Sequence, residues 1–355
     1  MNGGVYLFEI VETNLRWNNI LKSFQMVDSY YSYEYGKLFA NIEKGKLLGA
    51  YYEENGSKIF YPFIVREIPN IHINAFDIVT PYGYGGPIVE GNPNIIKGFY
   101  EHLSDFCSSK NIITETIRFH PLYKNYRYGK DVMDIEYIRK TTAVDLTKPL
   151  EEIRLNYTSS NKRNIKKARN NNISCFIAEG TKENVDLFIE MYKETMNRNN
   201  ANDFYYFGEQ YFYEQIKETE ISKTLLLFAK RENEVIAGTL VIVGTEFAHY
   251  HLGASKTKYL EYRPNNLLFD FMIEVCKSFG SKELHLGGGY QENDGLFKYK
   301  TSFTNNHNYD YFIGKKIHNL DKYEDVMEYL KKRYELKDHY FPIYRGKLER
   351  KIQNA

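Results

Sequence analysis

The residues best placed to do chemistry lie in Leu284-His-Leu-Gly-Gly-Gly-Tyr-Gln-Glu-Asn-Asp-Gly-Leu-Phe-Lys-Tyr-Lys-Thr-Ser-Phe303. A strand-like run enters a triple glycine, passes an acidic turn and ends in two lysines among aromatics. Lys298 and Lys300 alternate with Phe297 and Tyr299, so an extended backbone would aim both ammonium groups to one side. Such a pair suits a polyanion such as phosphate or pyrophosphate; the alternative is a purely structural loop. A second candidate is Thr80-Pro-Tyr-Gly-Tyr-Gly-Gly-Pro-Ile-Val-Glu90. Its glycines let backbone amides approach a ligand, with Tyr82 and Tyr84 as a wall. It matches no phosphate-loop signature, and a tight turn between strand and helix explains it equally. The third is Ser159-Ser-Asn-Lys-Arg-Asn-Ile-Lys-Lys-Ala-Arg169, where Lys162, Lys166 and Arg169 share a helical face beside Arg163 and Lys167. Ser159 or Ser160 can cap this helix. Cations in a first turn oppose the helix dipole, which a bound anion would relieve; a solvated basic face is the alternative. His249 and His251 alternate on a predicted strand, but no third ligand is evident, so no metal is expected.

These residues need a scaffold, and composition bounds it. The 355 residues suggest two domains. Lys and Arg total 47 against 46 Asp and Glu, a balance of +1 that argues against binding nucleic acid over a broad surface, and against DNA as a partner. Three scattered cysteines without CxxC spacing argue against a disulfide scaffold or zinc site and fit a reducing compartment better. No apolar run is long enough to span a membrane, and the N-terminus is acidic where a signal peptide is basic. The expectation is a soluble, cytoplasmic protein.

The elements repeat. Leu47–Tyr52 and Ile59–Arg66 read as a hairpin across Asn55-Gly56, followed by a helix over Asn92–Ser109 and a strand over Thr114–Phe119. Later, Leu225–Lys230 and Val235–Val243 read as a hairpin extended by Phe247–Leu252. A helix over Asn265–Phe279 follows, with Gly280 as its cap, then a strand over Lys282–Leu286. The order recurs about 180 residues apart, which predicts two related α/β domains with mixed sheets. The expected divisions are residues 1–148, residues 149–316, and a helical tail, 317–355, packing back on the first domain.

Five segments, taken together, resemble the FemABX family of non-ribosomal peptidyl transferases in its shorter, FemX-like form. They are Gly85-Gly-Pro-Ile-Val-Glu90, Arg118-Phe-His-Pro-Leu122, the basic helix Lys162–Arg169, Tyr250-His-Leu-Gly-Ala-Ser255 and Leu296-Phe-Lys-Tyr-Lys-Thr-Ser-Phe303. The resemblance implies two tandem acetyltransferase-like (GNAT) domains that pass an aminoacyl group from aminoacyl-tRNA to an amine of a peptidoglycan or other cell-envelope precursor. Lys300 falls on the family's catalytic Phe-Lys lysine. Lys37 falls near a lysine that holds substrate phosphates, and Arg163 is a candidate for a second phosphate contact. Glu90 stands where the family has Asp, and the family's Arg before Gly-Pro is replaced by glycine.

The expected roles follow. Lys300 stabilises the developing charge, Tyr250 positions the carbonyl or relays a proton, and Asp294 or Glu90 orients or deprotonates the amine. Lys37, Arg163 and Lys298 anchor phosphates of a nucleotide- or lipid-linked precursor. No tightly bound cofactor is expected. One alternative donor is acyl-CoA, with an amino sugar as acceptor. Against it, the stretch where coenzyme A proteins carry glycines reads Arg263-Pro-Asn-Asn-Leu-Leu268, and Pro264 removes an amide. A non-catalytic protein that binds a precursor or glycan is the second alternative. The oligomeric state is not fixed by the sequence.

Overall fold

The computed structural model describes residues 6–337 and 340–351; the outermost ends of the expected ranges, 1–5 and 352–355, and residues 338–339 lie outside the described residues. The chain forms two compact units. The first comprises the chain up to Gln25, Tyr33–Ile138 and the chain from Asp310; the second comprises Met26–Ser32 and Arg139–Tyr309.

The first unit opens with Tyr6–Val11 (β1), Asn14–Ser23 (α1), Tyr33–Ile42 (α2), Lys46–Glu54 (β2) and Ser57–Glu67 (β3). Phe76–Val79 (β4), Ile88–Glu90 (β5), Ile96–Ser109 (α3) and Ile112–Arg118 (β6) follow. The β2–β3 turn is Asn55-Gly56, both at positive φ (49° and 76°), the geometry that matches strand twist. Phe60, Tyr61, Phe63 and Phe99 are fully buried, and Trp17 meets Phe60 edge-on at 4.9 Å. Burying each such side chain contributes roughly 1.5–3 kcal/mol.

Asp134–Asp145 (β7) leads to Leu150–Leu155 (α4), Ser159–Asn170 (α5), Ile173–Ala178 (β8), Lys182–Arg198 (α6) and Glu209–Gln215 (α7). Then come Ser222–Arg231 (β9), Glu234–Gly244 (β10), Phe247–Ser255 (β11), Pro264–Ser278 (α8), Glu283–Gly287 (β12) and Gly295–Thr301 (α9). Helix α8 ends as its sequence requires: Gly280 has φ 87°, its amide donates to Lys277 O, and the Ser281 amide donates to Cys276 O. Asn308–Ile317 (β13), Leu320–Arg333 (α10), Tyr334–Leu336 (β14) and Leu348–Arg350 (β15) close the described chain.

The strand order of the first unit is β1-β2-β3-β4-β6-β13, with β5 on β3. That of the second is β8-β9-β10-β11-β12-β7. In both, three antiparallel pairings are followed by a parallel one (β4 with β6, β11 with β12) and a final antiparallel one. These are two copies of one mixed-sheet plan. Their sixth strands are exchanged in chain order: β13, after the second unit, completes the first, and β7, before it, completes the second. The boundaries at 138/139 and 309/310 therefore fall inside strands β7 and β13. The expected divide at 148/149 lies within the second unit, because Thr142–Asp145 pair with β12. The one at 316/317 lies within β13, whose Ile313–Ile317 pair with β6. Helix α10 packs Val326, Met327 and Leu330 around Ile113 of β6. Among the described residues, no helix is long and apolar enough to cross a membrane.

Candidate functional site

The site is assembled in the second unit where β11, β12 and α9 meet. Strand β11 carries a bulge: Leu240 pairs with Leu252 but Val241 with Tyr250, leaving His251 as the extra residue. Bulges re-aim side chains and recur beside active sites. Here the half-buried Tyr250 ring lies 4.9 Å from Phe269 of α8. Its hydroxyl lies over Gly253, where a Cβ would sit only 2.3 Å from it. Burial raises the phenol, so it stays protonated and can donate.

The stretch expected to be extended is instead helix α9. Asp294 caps it, accepting from the Phe297 amide at 2.8 Å, and it also holds the amides of Tyr290 (2.6 Å) and Gln291 (3.0 Å). The cap outweighs the two-residue alternation of the sequence. Neighbouring side chains on a helix are about 100° apart, so residues 298 and 300 point nearly opposite ways. Lys298 is exposed, whereas Lys300 is buried at 6% exposure. The expectation of two ammonium groups on one side is therefore corrected to one buried lysine.

Lys300 Nζ donates to the Gly288 carbonyl at 2.7 Å and stands 5.5 Å from the Tyr250 ring centroid, within cation–π range. Burial is the main influence on its pKa; the Asp294 carboxylate opposes it, Arg139 adds to it, and the ammonium is brought down to about 8. Its other two N–H groups and the Tyr250 hydroxyl have no hydrogen-bond partner among the described residues. A buried cation and a protonated phenol on adjoining elements are donors of the kind that can stabilise a developing oxyanion.

The other expected residues fall into two groups. Asp294 belongs to this cluster, but three backbone amides occupy its carboxylate. Burial would raise its pKa, yet those amides outweigh it and lower it, which supports the loop and does not present a free base. Arg163 is exposed on α5, whose cap is Thr158 rather than Ser159 or Ser160. On the same helix Lys162 reaches the Leu155 carbonyl, and Arg169 is paired with buried Asp270 at 2.9 Å. The remaining four lie in the first unit. Lys37 is exposed on α2. Tyr82 stacks on Phe39 at 5.3 Å, and its carbonyl accepts from Tyr35. Tyr84 packs edge-on against Tyr311 at 5.3 Å. Glu90 pairs with Lys58 at 3.0 Å and accepts from the Gln25 amide; burial would raise its pKa, but these partners lower it. The glycine loop holding the two tyrosines is pinned by buried Asn125, which donates to the carbonyls of Gly85 and Pro87.

Two further observations bear on the expectations. His249 pairs with Asp28 at 2.7 Å, while His251 bonds the Tyr211 hydroxyl, so the two rings serve different partners. At the stretch where coenzyme A proteins carry glycines, Arg263 has φ 63° and Pro264 begins α8. The Asn266 amide there already donates to Arg263 O.

Sequence reasoning missed Arg139, Gly288 and Tyr299. The Tyr299 hydroxyl is buried without a hydrogen-bond partner among the described residues. No local pattern marks Arg139, which acts on residues about 150 positions later.

Residues 159–301, from the start of α5 to the end of α9, match the family model described as an acetyltransferase (GNAT) domain. No protein of curated function matches the chain by sequence. Among solved structures, FemX superposes with a TM-score of 0.68 at 13% identity, covering 90% of this chain and 99% of its own. L-PGS from Bacillus licheniformis gives 0.58 at 11% identity, covering 89% and 96%. A conserved protein of unknown function from Bacteroides thetaiotaomicron gives 0.56 at 9%, covering 87% and 99%. The chain thus has the tandem GNAT fold, as its resemblance to FemX-like proteins implied.

Proposed function

We propose that the protein is an N-acyltransferase that moves an aminoacyl group from aminoacyl-tRNA to an amine of a phosphate-bearing cell-envelope precursor. The observation that carries this reading is the buried Lys300 ammonium 5.5 Å from the ring centroid of Tyr250, which the β11 bulge re-aims. The fold shared with FemX supports the aminoacyl donor, and the exposed cations Arg163 and Lys298 of the second unit are available to anchor phosphates.

In the proposed step the neutral amine attacks the ester carbonyl, forming the C–N bond and pushing an electron pair onto the carbonyl oxygen. Lys300, and Tyr250 by donating its hydroxyl proton in a hydrogen bond, stabilise that oxyanion. The C–O bond then breaks, the proton lost by nitrogen passes to the leaving hydroxyl, and an amide remains. Orientation of the two reactants supplies much of the rate. Asp294 takes part by holding the loop and helix that carry Lys300. Glu90 is held in the first unit by Lys58 and the Gln25 amide and is assigned no proton transfer.

The match to an acetyltransferase model favours one other donor, acyl-CoA, with an amino sugar as acceptor. Pro264 and the occupied Asn266 amide weigh against it, since both remove donors a pyrophosphate would use. The test is mass spectrometry of amine-bearing nucleotide- and lipid-linked precursors incubated with charged tRNA and, separately, with acyl-CoA. A mass gain of one amino-acid residue with tRNA alone supports the reading. An acyl gain with acyl-CoA alone overturns its donor.

A further inference from the structure

We propose that Arg139 is a positioning residue for acyl transfer, fixing the Gly288–Tyr290 loop on which Lys300 is seated; the inference rests on the acyltransferase reading above. Arg139 is half-buried on β7, and its Nη1 donates to the carbonyls of Gly289 and Tyr290, both at 2.6 Å. The carbonyl immediately before them, that of Gly288, accepts from Lys300 at 2.7 Å. Three consecutive carbonyls are thus held by two cations from elements remote in sequence. Left to itself this loop would be poorly determined, because Gly287 has φ 75° and two more glycines follow. The Tyr290 peptide unit is held from both ends: Asp294 takes its amide and Arg139 its carbonyl. Close packing sets the loop's position further. A Cβ on Gly288 would lie 2.9 Å from the Lys140 carbonyl, and one on Gly289 would lie 2.0 Å from Asp294 Oδ1.

The charged and titratable groups facing Lys300 are Arg139 from β7, Asp294 from the cap of α9 and Tyr250 from β11. No carboxylate pairs with Arg139 among the described residues. Its positive charge therefore acts on Lys300 in the direction opposite to Asp294. Removing that charge shifts the titration of Lys300, and loosening the loop it holds lowers kcat; a role confined to stability would leave kcat unchanged.

The test uses the full chain and three forms: native, Arg139→Met and Arg139→Lys. Lys300 is labelled with acetic anhydride across a pH series and its modification read by peptide mass spectrometry, a readout independent of turnover. Steady-state kinetics with the acceptor and donor found active for the native protein supply kcat and KM. Arg139→Met is expected to raise the labelling midpoint of Lys300 above that of the native protein, because it removes a positive charge that lowers it. It is also expected to lower kcat roughly 10- to 100-fold with little change in KM, the scale expected when a reacting group is misplaced by an ångström. Arg139→Lys, which keeps the charge, is expected to retain the native midpoint and recover part of kcat. An unshifted midpoint in Arg139→Met, or an unchanged kcat, overturns the proposal. Failure of the native protein to acylate any amine overturns the acyltransferase reading instead, and the labelling series still decides whether Arg139 acts on Lys300.

Discussion

Lys300 sits where an ammonium is hard to accommodate, buried and hydrogen-bonded to a single carbonyl. A structural lysine would more simply reach solvent, as Lys298 does two residues earlier. Replacing Lys300 with Met is expected to cut kcat by roughly 10²–10³-fold, the usual loss for an oxyanion donor. The variant should keep its fold and melt within a few degrees of the native protein, because removing a buried charge offsets the loss of the hydrogen bond to the Gly288 carbonyl. Circular dichroism and thermal unfolding check the second half of that expectation. The pH dependence follows from the same burial. Lys300 is brought down to about 8, so it is charged below that pH and neutral above it. If the ammonium stabilises the oxyanion, the rise in kcat/KM that deprotonation of the acceptor amine gives should stop as pH passes about 8 and Lys300 loses its charge; a profile still climbing above pH 9 would contradict that role. At this scale the sequence pointed to Lys300 and Tyr250, because the segments around them carried the family resemblance. It misjudged Lys298, since alternation alone cannot distinguish a strand from a short capped helix. Arg139 left no local trace, because its partners are brought to it only by sheet pairing.

Two short elements set the geometry around Lys300. Helix α9 begins at Asp294, whose carboxylate is shared among three amides. Asp294→Ala is expected to destabilise the protein by about 0.5–2 kcal/mol, the range for a lost cap, and to reduce activity as the loop and Lys300 loosen. Urea unfolding together with kcat reports both effects; loss of stability with full activity would separate the cap from the site. The bulge in β11 is the second element. Because a Cβ at Gly253 would collide with the Tyr250 hydroxyl, Gly253→Ala should displace that ring and lower kcat far more than it lowers stability. An activity equal to that of the native protein would show that the hydroxyl's position is immaterial. The hairpins, α3 and α8 were legible beforehand because Asn55-Gly56, Gly280 and the apolar spacing each fix a local conformation. The bulge was not, since a single extra residue leaves no mark on a hydrophobic pattern. The basic helix was legible as a helix, but its cap at Thr158 and the pairing of Arg169 with Asp270 depend on packing against α8 and α9.

Across the whole molecule, the recurrence of hairpin, strand, helix and strand anticipated two copies of one plan. What it could not anticipate is that each copy takes its sixth strand from outside its own stretch of chain. Register between distant strands is set by pairing that no local signal records. The tyrosine excess has a largely plain explanation, with Tyr30, Tyr31, Tyr35, Tyr51, Tyr52 and Tyr61 all in the core. With a near-neutral balance of +1, a tRNA donor would have to be held by local cations rather than by a broad basic surface. A tRNA donor should therefore show an apparent affinity that falls as salt rises, as phosphate neutralisation requires, while acyl-CoA, with few phosphates, would give a much shallower slope. Donor KM measured from low to moderate salt separates the two. The central claim, that Lys300 drives amide formation on an envelope-precursor amine, is tested most directly by one comparison. Native protein and Lys300→Met are incubated with aminoacyl-tRNA and amine-bearing precursors, and products are read by mass spectrometry. The expected result is a precursor heavier by one amino-acid residue with the native protein and almost none with the variant; equal product from both would contradict the account.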